Sequence, residues 1–296
     1  MDTAVSALSE SSTETEVVSV QTAELIKEIG IPPCPAVLQE FMAEANKEDP
    51  DFRRLSHLIN KDVALAGSVL KTINSPFYGL SKKARTVHDA LTLLGLRQTS
   101  RLIAGLLLRK AFATSKSPAM FEYWDSSAKI ALVSGYLARE LEVANLEDAH
   151  TFALFRDCGV PVLLARFPEY EQMLLDTRDE NEQRRCEMEH AQFGFDHAQV
   201  GATLAQSWHM PDEMWQAIRV HTHYLQPGFR ADAHTSRFAN WIAIALVAEG
   251  MHRMDRGSFN VQQWTGEDAF ITSVLGPVED RLQPLEKDVK RILSQQ

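Results

Sequence analysis

Residues 51–75 read DFRRLSHLINKDVALAGSVLKTINS, and the spacing of their apolar side chains decides the fold class. Phe52, Leu55, Leu58 and Ile59 recur at three- and four-residue intervals, which places them on one face of a helix. Asp51 stands just ahead, where a short carboxylate accepts from first-turn N–H groups that have no helical partner. A second helix follows Asp62 and ends at Asn74 and the turn Ser75-Pro-Phe-Tyr-Gly79.

Outward from this stretch the helical period dominates and strand-like alternation is nearly absent. Upstream, Thr22 is placed to cap a short helix that Gly30 ends. Ile31-Pro-Pro-Cys-Pro35 is extended, because consecutive prolines forbid helix until Pro35 can serve in a first turn. A helix then runs to about Lys47 and stops near Pro50. Downstream, Thr86 with Asp89 has the form of a capping box, opening a helix to Leu94. Gly95 breaks that helix, and an apolar one continues to about Phe112. Ser117-Pro118 pairs an N-cap with a first-turn proline and begins the second half. A last helix over about 278–294 aligns Leu285, Val289 and Ile292, its regular part confined to the residues after Pro284. The expectation is an all-α protein: a tail over 1–20, an N-terminal helical lobe over 21–115, and a larger helical lobe over 116–296.

The tail, MDTAVSALSESSTETEVVSV, holds Ser, Thr and Glu but no Lys or Arg. It reads as disordered, and it lacks the basic start and apolar run of a signal peptide. The most apolar windows elsewhere, such as 241–248, fall well short of the roughly 20 residues a membrane span needs. Cys34, Cys158 and Cys186 form no metal or disulfide spacing, which fits a reducing cytoplasm. The net charge of −10 argues against a general nucleic-acid binder, yet it is unevenly spread. Residues 53–110 carry eleven Lys and Arg against Asp62 and Asp89, a local +9 that leaves −19 elsewhere. Such a field steers an anionic partner; the alternative is a set of solvated helix faces paired with the acidic remainder of the chain.

Histidine is the informative residue type for chemistry. Six of the ten, His190, His197, His209, His221, His223 and His234, fall between 190 and 234, and imidazole is the commonest metal ligand. His221 and His223 are two residues apart, about 200° around a regular helix, so both cannot reach one ion. His209, in Trp208-His-Met-Pro211, precedes a helix start and reads as surface. His197 follows Asp196, an N-cap, and lies in a first turn. Asp157, in the apolar stretch Ala153-Leu-Phe-Arg-Asp-Cys-Gly159, needs a partner, since a buried carboxylate is costly unless paired or metal-bound. Arg156 is adjacent, but neighbours on a helix point about 100° apart. The plain alternative for Asp157 is a structural ion pair or a helix cap.

The order of several motifs resembles the HDOD domain, a branch of the HD phosphohydrolase superfamily. They are Ile31-Pro-Pro-Cys-Pro35, Leu58-Ile-Asn-Lys-Asp62, Ile73-Asn-Ser-Pro-Phe-Tyr-Gly-Leu80 and Ala90-Leu-Thr-Leu-Leu-Gly-Leu96. Phe193-Gly-Phe-Asp-His-Ala-Gln-Val-Gly-Ala202, Trp208-His-Met-Pro211 and Ala217-Ile-Arg-Val-His221 follow. Together they span about residues 22–250. The resemblance implies an all-helical fold with the larger lobe HD-like.

Catalytic relatives bind divalent metal through a His, a His-Asp pair, further His residues and a later Asp. Carried over by position, Ser126 stands where the first His would be and Arg156 replaces the His of the pair beside Asp157. His197 and His221 match, Thr222 replaces a second paired His, and Glu249 stands for the terminal acid. Ser126, Arg156, Asp157, His197, His221 and Glu249 thus form a degenerate pocket; any divalent metal would sit at Asp157, His197 and His221. A serine hydroxyl is a poor ligand and a guanidinium cannot be deprotonated, so phosphohydrolysis, which needs metal to acidify water, is not expected.

The implied function is a non-catalytic bacterial signalling module acting through protein–protein contact, with a response regulator, a kinase or a cyclic-di-GMP enzyme as partner and neither membrane nor nucleic acid. Phe77, Tyr78, Lys82, Lys83 and Arg85 are the candidate contact residues. The alternatives are a metal-dependent phosphodiesterase acting on nucleotides, and a sensor that binds a nucleotide or other anion through Arg156.

Overall fold

In the computed structural model the described residues are 29–75, 78, 80, 82–112, 117–178, 180–226, 229, 237–255, 268–277 and 279–294. No strand occurs among them, as the periodicity predicts. The tail, the helix expected after Thr22, Phe77, the junction near residue 115 and His234 lie outside them.

The first helices are α1 (Ala36–Ala45), α2 (Phe52–Asn60), α3 (Val63–Ile73) and α4 (Val87–Ala111). Their ends are where the capping residues put them. Asp51 accepts from the N–H groups of Arg53 and Arg54, and Asp62 from those of Ala64 and Leu65. Thr86 and Asp89 close a reciprocal capping box. Gly95 leaves helical geometry at φ 77° and ψ 166°, so α4 is two helices joined at a break that only glycine adopts without strain. Pro35 is the N-cap of α1 rather than a first-turn residue, and α1 ends at Ala45, slightly before the Lys47 expected from sequence. Asn74 clamps the turn that follows α3: its amide donates to Ala84 O and its carbonyl accepts from Ala84 N, each at 2.8 Å.

The larger assembly comprises α5 (Pro118–Glu140), α6 (Leu146–Phe155), α7 (Gly159–Arg166), α8 (Tyr170–Asp176), α9 (Glu182–Phe193), α10 (His197–Ser207) and α11 (Asp212–Val220). A 3₁₀ turn over His221–His223 continues α11, and α12 (Ala239–Asp255), α13 (Asp268–Leu275), α14 (Glu279–Leu282) and α15 (Glu286–Ser294) follow. Pro284 falls in a 3₁₀ turn between α14 and α15, which interrupts the last helix as its ring demands.

Helices α1, α2 and α3 pack on α4, and α5, α6 and α12 pack together with α11 against α6 and α10 against α7. The two groups meet where α4 packs on α6. There Arg101, with only 9% of its side chain exposed, pairs with Asp148. Trp208, 1% exposed, donates from Nε1 to Pro32 O at 3.0 Å, tying the proline-rich opening to the end of α10. Leu55, Leu58 and Ile59 are buried, and cutting one such leucine to alanine costs about 2–5 kcal/mol. No described helix is long and apolar enough to cross a membrane.

Candidate functional site

The site is built where α6 stops. Its last helical residue is Phe155, and Arg156, Asp157 and Cys158 make a tight turn into α7, with Cys158 N donating to Phe155 O at 2.9 Å. Gly159 then lets α7 lie directly on α10. A Cβ there would sit 2.0 Å from His197 O and 2.8 Å from Gly201 N, so the helices cross with no side chain between them. That crossing brings His197, at the start of α10, to Asp157. His221 arrives from the 3₁₀ turn after α11.

Asp157 Oδ1 lies 3.5 Å from His197 Nε2 and 3.2 Å from His221 Nε2. His221 turns Nδ1 to Ile218 O at 2.6 Å. His197, fully buried, turns Nδ1 to Glu189 Oε2 at 2.7 Å, and its backbone N–H donates to the same oxygen at 2.8 Å. Tyr170 donates its hydroxyl to the other Glu189 oxygen at 2.6 Å. His223, two residues past His221 in the 3₁₀ turn, is only half-buried.

The guanidinium of Arg156 is part of this cluster. The angular objection to pairing it with Asp157 fails because the long side chain reaches across although Arg156 keeps helical dihedrals, and Nε donates to Asp157 Oδ2 at 3.1 Å. Nη2 pairs with Glu249 Oε2 and lies 3.6 Å from Glu182 Oε1. Glu249 also receives Arg253 Nη2 at 2.6 Å. Arg156 is 3% exposed, so a buried cation stands among three carboxylates.

Burial alone would raise the Asp157 and Glu249 carboxyls, but the Arg156 charge outweighs it. Asp157 is held well below the ordinary range and Glu249 is pulled down to about 2, with Arg253 contributing. Burial would likewise raise Glu189; the charge of His197 opposite it brings it down to about 2. Burial would strip the proton from His197, yet the Glu189 carboxylate holds it on and raises the imidazole well above its usual value. Glu189 and Asp157 thus face the two ring nitrogens of His197, at 2.7 and 3.5 Å.

Asp157, His197 and His221 present donor atoms within 4.8 Å of one another, a spacing one ion could span. The chemistry of the set is against it. Metal needs neutral imidazole and a free carboxylate, and here Asp157 gives its second oxygen to a guanidinium. The donor geometry alone would admit an ion, and it is the Arg156 cation beside it that weighs against one.

Of the other predicted positions, Ser126 on α5 faces α12, its hydroxyl 3.3 Å from His252 Nε2, one turn beyond Glu249. His209 is exposed. Lys82, Lys83 and Arg85 are exposed, while Tyr78 is half-buried against the core. Sequence reasoning missed Glu182, Arg185, Glu189 and Tyr170. The first three lie on one face of α9 at i, i+3 and i+7, with Arg185 Nε 4.0 Å from Glu189. That periodicity was the available signal, hidden in a helix reading EQRRCEMEHAQF.

The fold recurs in solved structures. An HDOD domain protein of Geobacter sulfurreducens superposes with a TM-score of 0.63 at 18% identity, covering 95% of this chain and 98% of that one. A Shewanella amazonensis protein provisionally named a phosphohydrolase gives 0.63 at 19% identity, covering 91% and 97%. A Marinobacter aquaeolei protein provisionally named a signal transduction protein gives 0.61 at 21%, covering 92% of this chain and 61% of that one. In sequence, an uncharacterized protein of Treponema pallidum is 26% identical over 218 residues, 69% of this chain. The match spans 41% of that relative's own length. The HDOD domain pattern itself matches residues 31–224. The helical architecture, the ordered motifs and this match agree, and the chain belongs to the HDOD family.

Proposed function

We propose that this protein is a non-catalytic signal-transduction module that works by binding another protein. One observation carries the reading: the Arg156 guanidinium lies among Asp157, Glu182 and Glu249, where it supplies the positive charge a metal ion would bring. A divalent ion at Asp157 would meet a fixed cation a few ångströms away, in a medium that screens it weakly. Without metal nothing there lowers the pKa of an attacking water. The same geometry argues against an anion sensor, because Arg156 already pairs with carboxylates of its own chain. The Marinobacter aquaeolei neighbour's name adds a signalling context at the level of fold.

The test is metal analysis of protein purified without chelator, together with hydrolysis of bis(4-nitrophenyl) phosphate in added Mn²⁺. Substoichiometric metal and no turnover are expected. One tightly held transition-metal ion per chain, with turnover that Asp157→Asn abolishes, would overturn the reading.

A further inference from the structure

The far side of the His197 ring, away from Asp157, carries a second set of donors. Cys186 and Glu189 stand three residues apart on α9, so both project from one face. Cys186 Sγ lies 3.7 Å from His197 Nδ1, and Glu189 Oε2 lies 2.7 Å from the same nitrogen. All three side chains are buried, and their donor atoms fall within 4.8 Å of one another. A tetrahedral zinc ion, at about 2.3 Å from sulfur and about 2.0 Å from nitrogen, sets those two donors roughly 3.6 Å apart. The Cys186–His197 pair already has that spacing. Glu189 is closer than an ion allows and would part from Nδ1 by roughly half an ångström as the proton between them gives way.

Two features separate this set from Asp157, His197 and His221. The first is charge. A coordinating thiol gives up its proton, so Cys186 and Glu189 together offset a divalent ion. On the opposite side Asp157 is the single anion, and Arg156 already donates to it at 3.1 Å. A cation stands near Glu189 too, but Arg185 Nε is 4.0 Å from Oε1, beyond hydrogen-bond reach, and its Nη2 is 3.9 Å from Glu182. The donor that holds Oε1 is the neutral Tyr170 hydroxyl. The second feature is the other ring nitrogen. With an ion on Nδ1 the imidazole keeps its proton on Nε2, which faces Asp157 Oδ1 at 3.5 Å. A carboxylate in that position orients a metal-binding histidine and raises its basicity.

We propose that Cys186, Glu189 and His197 Nδ1 form a binding site for a thiophilic divalent ion of the zinc class, a site that goes beyond the non-catalytic reading and leaves it standing. Thiolate with imidazole selects such ions over magnesium and calcium. Uptake expels the thiol proton and vacates Nδ1, leaving the ring neutral. That cost and the Arg185 charge keep the affinity below that of a closed structural zinc site, so the ion enters when supplied rather than persisting through purification. For a signalling module it is an input, tying α9 to the start of α10.

The test titrates the full chain with Co²⁺ and then displaces it with Zn²⁺. Thiolate-bound tetrahedral cobalt gives a near-ultraviolet charge-transfer band and strong visible bands. Both are expected to saturate at one ion per chain and to disappear on adding zinc. Cys186→Ser should remove the charge-transfer band and weaken uptake at least about tenfold. Cys34→Ala and His221→Gln should leave both, with circular dichroism confirming that each variant folds. Absence of the charge-transfer band in the unmodified protein overturns the proposal whether or not Cys186→Ser folds, and so does a band that survives Cys186→Ser. Uptake lost in His221→Gln but kept in Cys186→Ser moves the ion to the Asp157 side of the ring and overturns it as well. Hydrolysis of bis(4-nitrophenyl) phosphate is followed on the cobalt-loaded samples. A missing thiolate band without turnover removes only this site; turnover that Asp157→Asn abolishes removes the non-catalytic reading.

Discussion

Replacing Arg156 with methionine keeps much of the side-chain length and removes the charge. Asp157, Glu182 and Glu249 would then share a buried space without the cation that lies within 4.0 Å of each. Removing one partner of a buried ion pair costs about 3–5 kcal/mol, because the remaining charge stays desolvated. The electrostatics agree in direction: the charges of Arg156 and Arg253 pull the Glu249 carboxyl from an ordinary 4.5 down to about 2. The sign follows from the direction: a carboxyl lowered on folding stabilises above its unfolded pKa, and the benefit disappears as pH falls toward 2. Arg156→Met should therefore lose about 3 kcal/mol or more at pH 7 in urea denaturation, and much less near pH 4, where the orphaned carboxyls can take up protons. Glu249→Gln in the same chain should recover part of the loss, since the double variant buries one charge fewer. A loss below about 1 kcal/mol that does not change with pH, and no coupling in the double variant, would refute the account of Arg156 as the internal counter-ion.

Other expectations rest on single observations. Gly159→Ala drives a Cβ into the His197 carbonyl and should lower stability by about 1–3 kcal/mol or more, read as a fall in the thermal midpoint with loss of the near-ultraviolet aromatic signal. Tyr170→Phe leaves one Glu189 oxygen without its 2.6 Å donor and should cost about 1–2 kcal/mol by urea denaturation. Stability of the unmodified protein should fall between about pH 4.5 and 2, as Glu189 and Glu249, both lowered to about 2, take up protons. His197 has the opposite sign: its pKa is raised on folding, so its contribution is complete below about 6.5 and fades as pH rises through the folded value. His197→Gln should flatten that alkaline decline in a pH series of denaturation midpoints.

Much of the fold was legible because its signals are local. Asp51, Asp62, Thr86 with Asp89, Ser117 and Asp196 cap the helices they precede, and Gly95 breaks the helix it interrupts. A cap depends on three or four neighbouring residues, so a single sequence contains it. Asp157, His197 and His221 were reachable only through the order of family motifs, since they come from three separate elements and meet through the Gly159–Gly201 crossing. Glu182 and Glu189 were obscured for the converse reason: α9 is so polar that its composition describes a solvated helix, their spacing on one face is a faint signal, and packing against α10 and the 3₁₀ turn is what buries that face.

The direction of Arg156 was the decisive unknown, and side-chain reach decided it. Neighbours on a helix leave the backbone about 100° apart, yet Arg156, which keeps helical φ −51° and ψ −41°, still meets Asp157, as Arg139 meets Glu140 at the end of α5. The consequence reaches beyond the pair. An imidazole at that position could lose its proton and take a metal, so the cluster's charge would depend on pH and metal supply. A guanidinium keeps its proton throughout. With Arg156 set against Asp157, Glu182 and Glu249, His197 against Glu189, and Arg185 and Arg253 at the edge, the cluster pairs its carboxylates within the chain. Its charges then brace α6, α9, α10 and α12 against one another.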